Sequence, residues 1–389
     1  MRIMHVITRL IVGGAQENTI LSCEGLQAEG HEVHLLAGPT TGPEGSLVDR
    51  ARAGKYHYEE IPELVRQVSP LRDRRAMTAL RKRFAALQPD VVHTHSSKAG
   101  VLGRLAAHAA GVPAIVHTIH GMSFNRTQPW VTRAAYAAAE RYCAKRCHAI
   151  VSVADAMTAH ALSARIGRPD QYHTIRSGIV VADFDSDRQD PAVTRAQWGN
   201  RPDDVVVGTV ARLFRNKGYE QLIEVIDRAV TAEPKLRFVW IGDGAHRPAY
   251  EAELSRRNLR ERVTITGLLP PNEMPRVLAA MDILAHTSQW EGLPRAAVQA
   301  LLMQKPVVSF DIDGAPEVVL PGQTGELADL GDIPAFSEAL VMLARDPDRR
   351  RRYGESGRNR CSKEFDHNVM VDRLEQLYLQ LTRAARRTI

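Results

Sequence analysis

Two hydrophobic rhythms alternate along the chain. Short, near-continuous apolar runs at 3–8, 33–37, 91–95, 114–118 and 150–153 have the character of parallel strands buried on both faces. Between them, residues 15–27, 99–109 and 132–145 carry helical spacing. Strand–helix alternation of this kind builds a parallel sheet flanked by helices. From 177 to 204 the rhythm breaks, where Asp183, Asp185, Asp190, Pro191 and Pro202 interrupt any apolar period. It restarts with runs at 205–210, 238–241, 263–266, 283–285 and 307–310. The expectation is an α/β chain of two Rossmann-like domains facing across a cleft, residues 1–176 and 205–364, with 177–204 as the linker. Met370, Val371, Leu374, Leu377, Tyr378 and Leu381 fall on one helical face. A helix over 365–389 is therefore expected to bury that stripe against the first domain.

With 389 residues, the chain has room for two or three domains, and its 25% charged content is that of an ordinary globular protein. No apolar run approaches the roughly 20 residues of a membrane-spanning helix. The first residues carry Arg2, His5, Thr8 and Arg9, which fit a buried strand better than a signal peptide. Four scattered cysteines make no disulfide framework. A cytoplasmic protein is expected.

The net charge of +6 favours anionic partners: nucleotides, phospholipid surfaces or nucleic acid. Zinc-finger spacing and aromatic–basic interleaving are missing, so nucleic acid is not expected. Basic residues concentrate at Arg72, Arg74, Arg75, Arg81, Lys82 and Arg83, and at Arg133, Arg141, Lys145 and Arg146. They make either a solvated helical face or, with Leu80, Phe84 and Leu87, an amphipathic surface resting on anionic lipid.

In open parallel sheets, ligands bind at the carboxyl ends of the strands where strand order reverses. Gly13 and Gly14 follow the first strand and open a helix, an arrangement that brings backbone amides close to an anion or simply makes a tight turn. Arg212 leaves the first strand of the second half, and Lys217-Gly218 precede the next helix. Two cations there suit a diphosphate and can balance charge on a leaving phosphate. Glu291 lies just before a helix led by Pro294, with Gln299 eight residues further on. The tripeptides Asp183-Phe184-Asp185, Asp311-Ile312-Asp313 and Asp346-Pro347-Asp348 spell a metal-binding D-x-D, but only Asp311 follows a buried run. His93, His95, His117 and His120 cluster at two strand ends without a nearby carboxylate or cysteine. No metal is expected.

The ordered set Gly13-Gly14, His120-Gly121, Arg212 with Lys217-Gly218, Gly242-Asp243-Gly244, Glu291-Gly292-Leu293-Pro294 and Gly314-Ala315-Pro316-Glu317 resembles family 4 of the retaining GT-B glycosyltransferases over nearly the whole chain. The resemblance implies sugar transfer from a nucleotide diphosphate sugar, most simply a UDP-sugar, to a glycan or lipid-linked acceptor, without cofactor or metal. It implies that Arg212 and Lys217 bind the diphosphate and that Glu291 contacts donor sugar hydroxyls. Gly292 and Leu293 would bring amides near sugar and phosphate, Gly244 would border the donor, and Gly13-Gly14 would border acceptor and phosphate. His120 would reach the transferred sugar. The family's second acid, a ribose ligand, is Gln299 here. A nucleotide-sugar epimerase on the same fold, or a non-catalytic sugar-nucleotide-binding subunit, are the rival expectations.

Overall fold

The computed structural model describes residues 1–42, 44–125, 127–186 and 189–387. It divides into two compact units, Met1–Gly178 with His367–Ile389, and Ile179–Asp366.

The first unit holds seven strands: β1 (Arg2–Ile7), β2 (Glu32–Ala37), β3 (His57–Glu60), β4 (Val91–His95), β5 (Ala114–Ile119), β6 (Ala149–Ser152) and β7 (Tyr172–Thr174). They pair in parallel in the order β3-β2-β1-β4-β5-β6-β7. Strand order reverses between β1 and β4, which opens a crevice at their carboxyl ends. Every residue of β4 and β5 is buried, as helices on both faces require. Leu80 and Phe84 of the helix Pro70–Leu87 are also buried in this core, so they cannot form a lipid-facing stripe. The basic residues around them are exposed, and the neighbouring apolar side chains that reach solvent are Val68 and Leu71.

The C-terminal helix His367–Arg387 completes this unit against the helix Gly14–Ala28. Met370, Val371, Leu374, Leu377 and Tyr378 are buried, while Leu381 is half-buried. The approach is close at Gly25, where an added Cβ would stand 2.3 Å from Val371 Cγ2. The helix starts at His367 and not at 365, because Phe365 and Asp366 pair with Ile179 in the second unit. Thr388 and Ile389, the end of the expected helix, lie outside the described residues.

The second unit carries β8 (Val205–Val210), β9 (Leu236–Ile241), β10 (Val263–Gly267), β11 (Ile283–His286), β12 (Val307–Asp311) and β13 (Gly325–Asp329). Their order, β10-β9-β8-β11-β12-β13, reverses between β8 and β11. Most of the stretch expected as linker belongs to this unit. Asp190 caps the helix Pro191–Gln197 by accepting the Ala192 amide at 2.9 Å, with Pro191 at its first position. Arg195 of that helix donates to the Ala280 carbonyl at 3.0 Å and pairs with Asp282 at 2.7 Å. Asp190 and Pro191, which look like breakers, are thus a helix start; Asp187 and Arg188 lie outside the described residues.

All four cysteines are free and buried. Among the described residues, no helix is long and apolar enough to cross a membrane.

Candidate active site

In the second unit the two loops that leave β8 and β11 are stitched together at the switch point. Gln289 donates its amide to the Asn216 carbonyl at 2.9 Å, and Thr287 Oγ1 donates to the Lys217 carbonyl at 3.0 Å. Gly218 makes the approach possible. Its φ of 70° is left-handed, and a Cβ would meet the Thr287 carbonyl oxygen at 1.9 Å. Lys217 Nζ donates to Glu291 Oε1, so two of the expected site residues are in direct contact.

Three side chains converge on one oxygen of Glu291, its Oε1. Ser288 Oγ donates to its Oε1 at 2.8 Å, and His286 Nε2 stands 3.6 Å from the same oxygen. Its own amide donates to Asp313 Oδ2 at 2.8 Å. Burial alone would raise the carboxyl; the Lys217 ammonium and the His286 and Lys217 hydrogen bonds outweigh it and hold the group well below the usual carboxylate range. His286 is oriented in turn: its Nδ1 lies 3.0 Å from Ser309 Oγ, which donates to the Phe310 carbonyl at 2.9 Å. Arg212 sits half-buried just past β8, its guanidinium carbon 5.2 Å from the centre of the Phe214 ring. Gly244 lies under the same loop, where a Cβ would stand 2.6 Å from the Leu213 carbonyl oxygen.

Glu291 is not helical. The helix begins at Arg295, so Gln299 is one turn into it and the eight-residue spacing is not two helical turns. Gly292 and Leu293 are buried and Gln299 is half-buried. His286, Ser288 and Asp313 are functional candidates that the sequence pattern passes over. Asp313 adopts φ 43°, a conformation that Asp tolerates better than most residues, and its carboxylate fixes the Glu291 loop.

In the first unit a cavity of about 260 Å³ opens at the ends of β4 and β5, lined by Ala15, Ser96, His117, Thr118, His120 and Gly121 among others. His120 Nε2 lies 3.0 Å from His95 Nδ1, and His95 Nε2 lies 2.9 Å from His5 Nδ1. A neutral imidazole donates once and accepts once, so the proton direction is shared along this chain of three rings. His5 Nε2, at its buried end, has no hydrogen-bond partner among the described residues. The rings that could approach one metal ion are His5, His93 and His95, their nitrogens within 4.8 Å of one another, rather than the four the sequence suggests. His117 turns instead to Thr94 Oγ1 at 2.9 Å. His93 is committed to Tyr378 OH at 2.5 Å and Thr118 Oγ1 at 2.7 Å.

Ser96, unmarked in the sequence, takes φ 62° and ψ 158° beside this cavity, a strained backbone of the kind that gathers at ligand sites. Its Oγ lies 2.8 Å from Thr8 Oγ1, joining the ends of β4 and β1. Gly14 opens the helix Gly14–Ala28, but Gly13 has φ 179°, extended backbone that any residue adopts. Gly13 is therefore not demanded by backbone conformation.

Residues 192–360 match the family described as Glycosyl transferases group 1, and residues 12–183 match Glycosyltransferase Family 4. This chain belongs to the group 1 glycosyltransferases. Among its relatives is the Escherichia coli UDP-Gal:alpha-D-GlcNAc-diphosphoundecaprenol alpha-1,3-galactosyltransferase, 27% identical over 98% of this chain and 97% of that one. Alpha-maltose-1-phosphate synthase of Mycolicibacterium smegmatis is 28% identical over 75% of this chain and 79% of that protein. Anabaena HepE, solved with UDP and glucose, superimposes with a TM-score of 0.83 at 19% identity over 98% of this glycosyltransferase and all (100%) of HepE. Sucrose-phosphate synthase from Thermosynechococcus elongatus gives 0.83 at 19% identity, over 99% and 100%. The glycosyltransferase therefore has the GT-B fold of two Rossmann-like domains, and it is an enzyme.

Proposed function

We propose that this glycosyltransferase moves a hexose from a UDP-sugar, with retention and without a metal ion, onto a glycan or lipid-linked acceptor in cell-envelope or exopolysaccharide assembly. The observation that carries the reading is the Lys217–Glu291 contact at the switch crevice of the second unit, with Arg212 on the same loop as Lys217. Anionic diphosphate is drawn to Lys217 and Arg212, which balance the charge that grows on the leaving phosphate. Glu291, kept ionised, accepts hydrogen bonds from donor sugar hydroxyls; the Gly292 and Leu293 amides and Gly244 border the same ligand. Gln299 takes the ribose with one carbonyl oxygen and one amide donor in place of a carboxylate. Support for UDP and for a lipid-linked acceptor comes from the UDP bound to HepE and from the galactosyltransferase's substrates.

In the first unit, Gly13-Gly14 and His120 would border the acceptor, His120 from the cavity at the ends of β4 and β5. The acceptor hydroxyl oxygen attacks the anomeric carbon on the face the phosphate leaves. The bond from that carbon to the phosphate oxygen breaks, and that oxygen takes the hydroxyl proton. No protein carboxylate nucleophile is needed. With a UDP-hexose and an acceptor, turnover should persist in excess EDTA, and NMR should show the donor's anomeric configuration kept in the product. Inversion, or loss of turnover rescued by Mg²⁺ or Mn²⁺, defeats the reading.

The protein would work peripherally on the inner face of the cytoplasmic membrane. The helix Trp130–Ala144 exposes Trp130 (77%) and Val131 (57%) beside the exposed Arg133, an interfacial combination. Co-sedimentation with vesicles should require anionic lipid and weaken as salt shortens the screening length to about 8 Å at physiological ionic strength. Equal binding to neutral vesicles leaves only a solvated basic face.

A further inference from the structure

A second cavity in the first unit, of about 560 Å³, is lined by Arg9, Thr41, Glu44, Pro62, Arg66 and Arg72 among others. Its walls come from the segments that follow β1, β2 and β3, on the opposite side of the β1 loop from the His120 cavity. Three arginines and one glutamate line it. Arg9 Nη2 is 3.4 Å from Glu44 Oε1, and Arg66 Nη1 reaches the same oxygen only at 4.0 Å. Glu44 is thus shared between two cations, and Arg72 adds a third at the start of the helix Pro70–Leu87, whose dipole also favours an anion. The cavity keeps an excess of positive charge that no lining group balances.

Two apolar residues adjoin its lining in sequence, Val68 next to Gln67 and Leu71 next to Arg72. Val68 and Leu71 are 78% and 75% exposed, and they sit in sequence between Arg66 and Arg72. Either one exposed alone would be unremarkable; both exposed beside a cationic cavity fit a ligand with an anionic head and an apolar tail. The cavity also lies within reach of the His120 cavity. From β2 to β5 is three strand steps, about 14 Å at the usual spacing, which an acceptor crosses by running from its sugar to its phosphates.

We infer that this cavity holds the diphosphate of a lipid-linked acceptor, with Arg9, Arg66 and Arg72 on the phosphates and Val68 and Leu71 against the first isoprenoid units. The inference rests on the lipid-linked acceptor of the proposed function, and it assigns the acceptor's anion to a site separate from the donor's diphosphate on Lys217 and Arg212.

The test is direct binding of farnesyl diphosphate to the whole protein held in saturating UDP, so that the donor site is filled. Farnesyl diphosphate should bind, and inorganic pyrophosphate and farnesol should each bind at least ten-fold more weakly. Arg66→Gln with Arg72→Gln should weaken farnesyl diphosphate by about ten-fold or more, since each charge-assisted bond to phosphate is among the strong ones. Both arginines are exposed, so folding should survive, and UDP affinity should be unchanged. Val68→Ser with Leu71→Ser should remove the preference over pyrophosphate. Farnesyl diphosphate that fails to bind, or binds the arginine variant as tightly as the original, overturns the inference. Pyrophosphate binding as tightly as farnesyl diphosphate overturns it too, as a phosphate site without a lipid. UDP binding in the same samples judges the donor reading separately.

Discussion

Lys217→Ala should lower kcat/KM by about 10²-fold or more, equivalent to about 2.7 kcal/mol of transition-state stabilisation. The loss should fall mainly on kcat, because the charge that Lys217 meets is largest on the departing diphosphate. Arg212→Ala should behave alike. The Lys217 change carries a second consequence, because its ammonium also satisfies Glu291 Oε1. Removing it leaves a largely buried carboxylate short of its main cation, at a cost of about 1–3 kcal/mol in stability. Lys217→Ala combined with Glu291→Gln should regain most of that stability while staying inactive, which separates the two effects. The checks are steady-state kinetics and melting temperature on the three variants. Turnover near that of the original enzyme in Lys217→Ala or Arg212→Ala would sink the assignment of the diphosphate site.

The second large effect is acid destabilisation. Burial pushes His5 down to about 3 and holds His93, His95 and His117 well below the ordinary histidine value of about 6.5. In the folded state these rings stay neutral where the unfolded chain's histidines take up protons. The unfolded state therefore binds more protons below about pH 6.5, and stability falls as pH drops. Each ring contributes up to about 1.4 kcal/mol per pH unit, so four contribute up to roughly 5 kcal/mol per unit. That slope consumes a typical domain's whole stability within two or three pH units. Calorimetry should find the first unit stable at pH 7.5 and steeply less stable toward pH 5. His5→Phe, which removes one buried ring, should flatten the slope. A melting temperature that stays level across that range would mean the rings accept protons in place.

Much of this architecture was legible in the sequence, for physical reasons that also explain the gaps. Central strands show because burial on both faces demands unbroken apolar runs. The outer strands β3, β7 and β13 are short and partly polar; His57-Tyr58-Glu59-Glu60 carries no apolar signal because an edge strand need not hide both faces. Asp190 and Pro191 stand in the capping positions of a helix, where the residues that break helices are the ones that start them. Leu80 and Phe84 looked like a lipid stripe because their neighbours are basic, yet period alone cannot say what an apolar face meets. Arg212 and Lys217 stood out because two cations at a strand's carboxyl end suit a diphosphate, and Glu291 because Glu291-Gly292-Leu293-Pro294 resembles the family's motif. Ser288 and His286 did not, since short polar groups acquire meaning only once folding sets them around a carboxylate. His5 was hidden inside an apolar run, and only β1–β4 pairing sets it beside His93 and His95.

The order of the two units along the chain sets an order of events during synthesis. The second unit is one unbroken stretch, Ile179–Asp366, whereas the first waits for His367–Arg387 to cover its sheet and to bring Tyr378 to His93. At about 5–20 residues per second, the ribosome needs on the order of tens of seconds to traverse the intervening stretch. For that interval the earlier half of the polypeptide has emerged with Gly25, Cys23 and the buried face of its first helix uncovered. The later half can finish folding first. The nascent first half is then the species that a chaperone or a protease meets, and stalling anywhere before residue 367 would prolong its exposure.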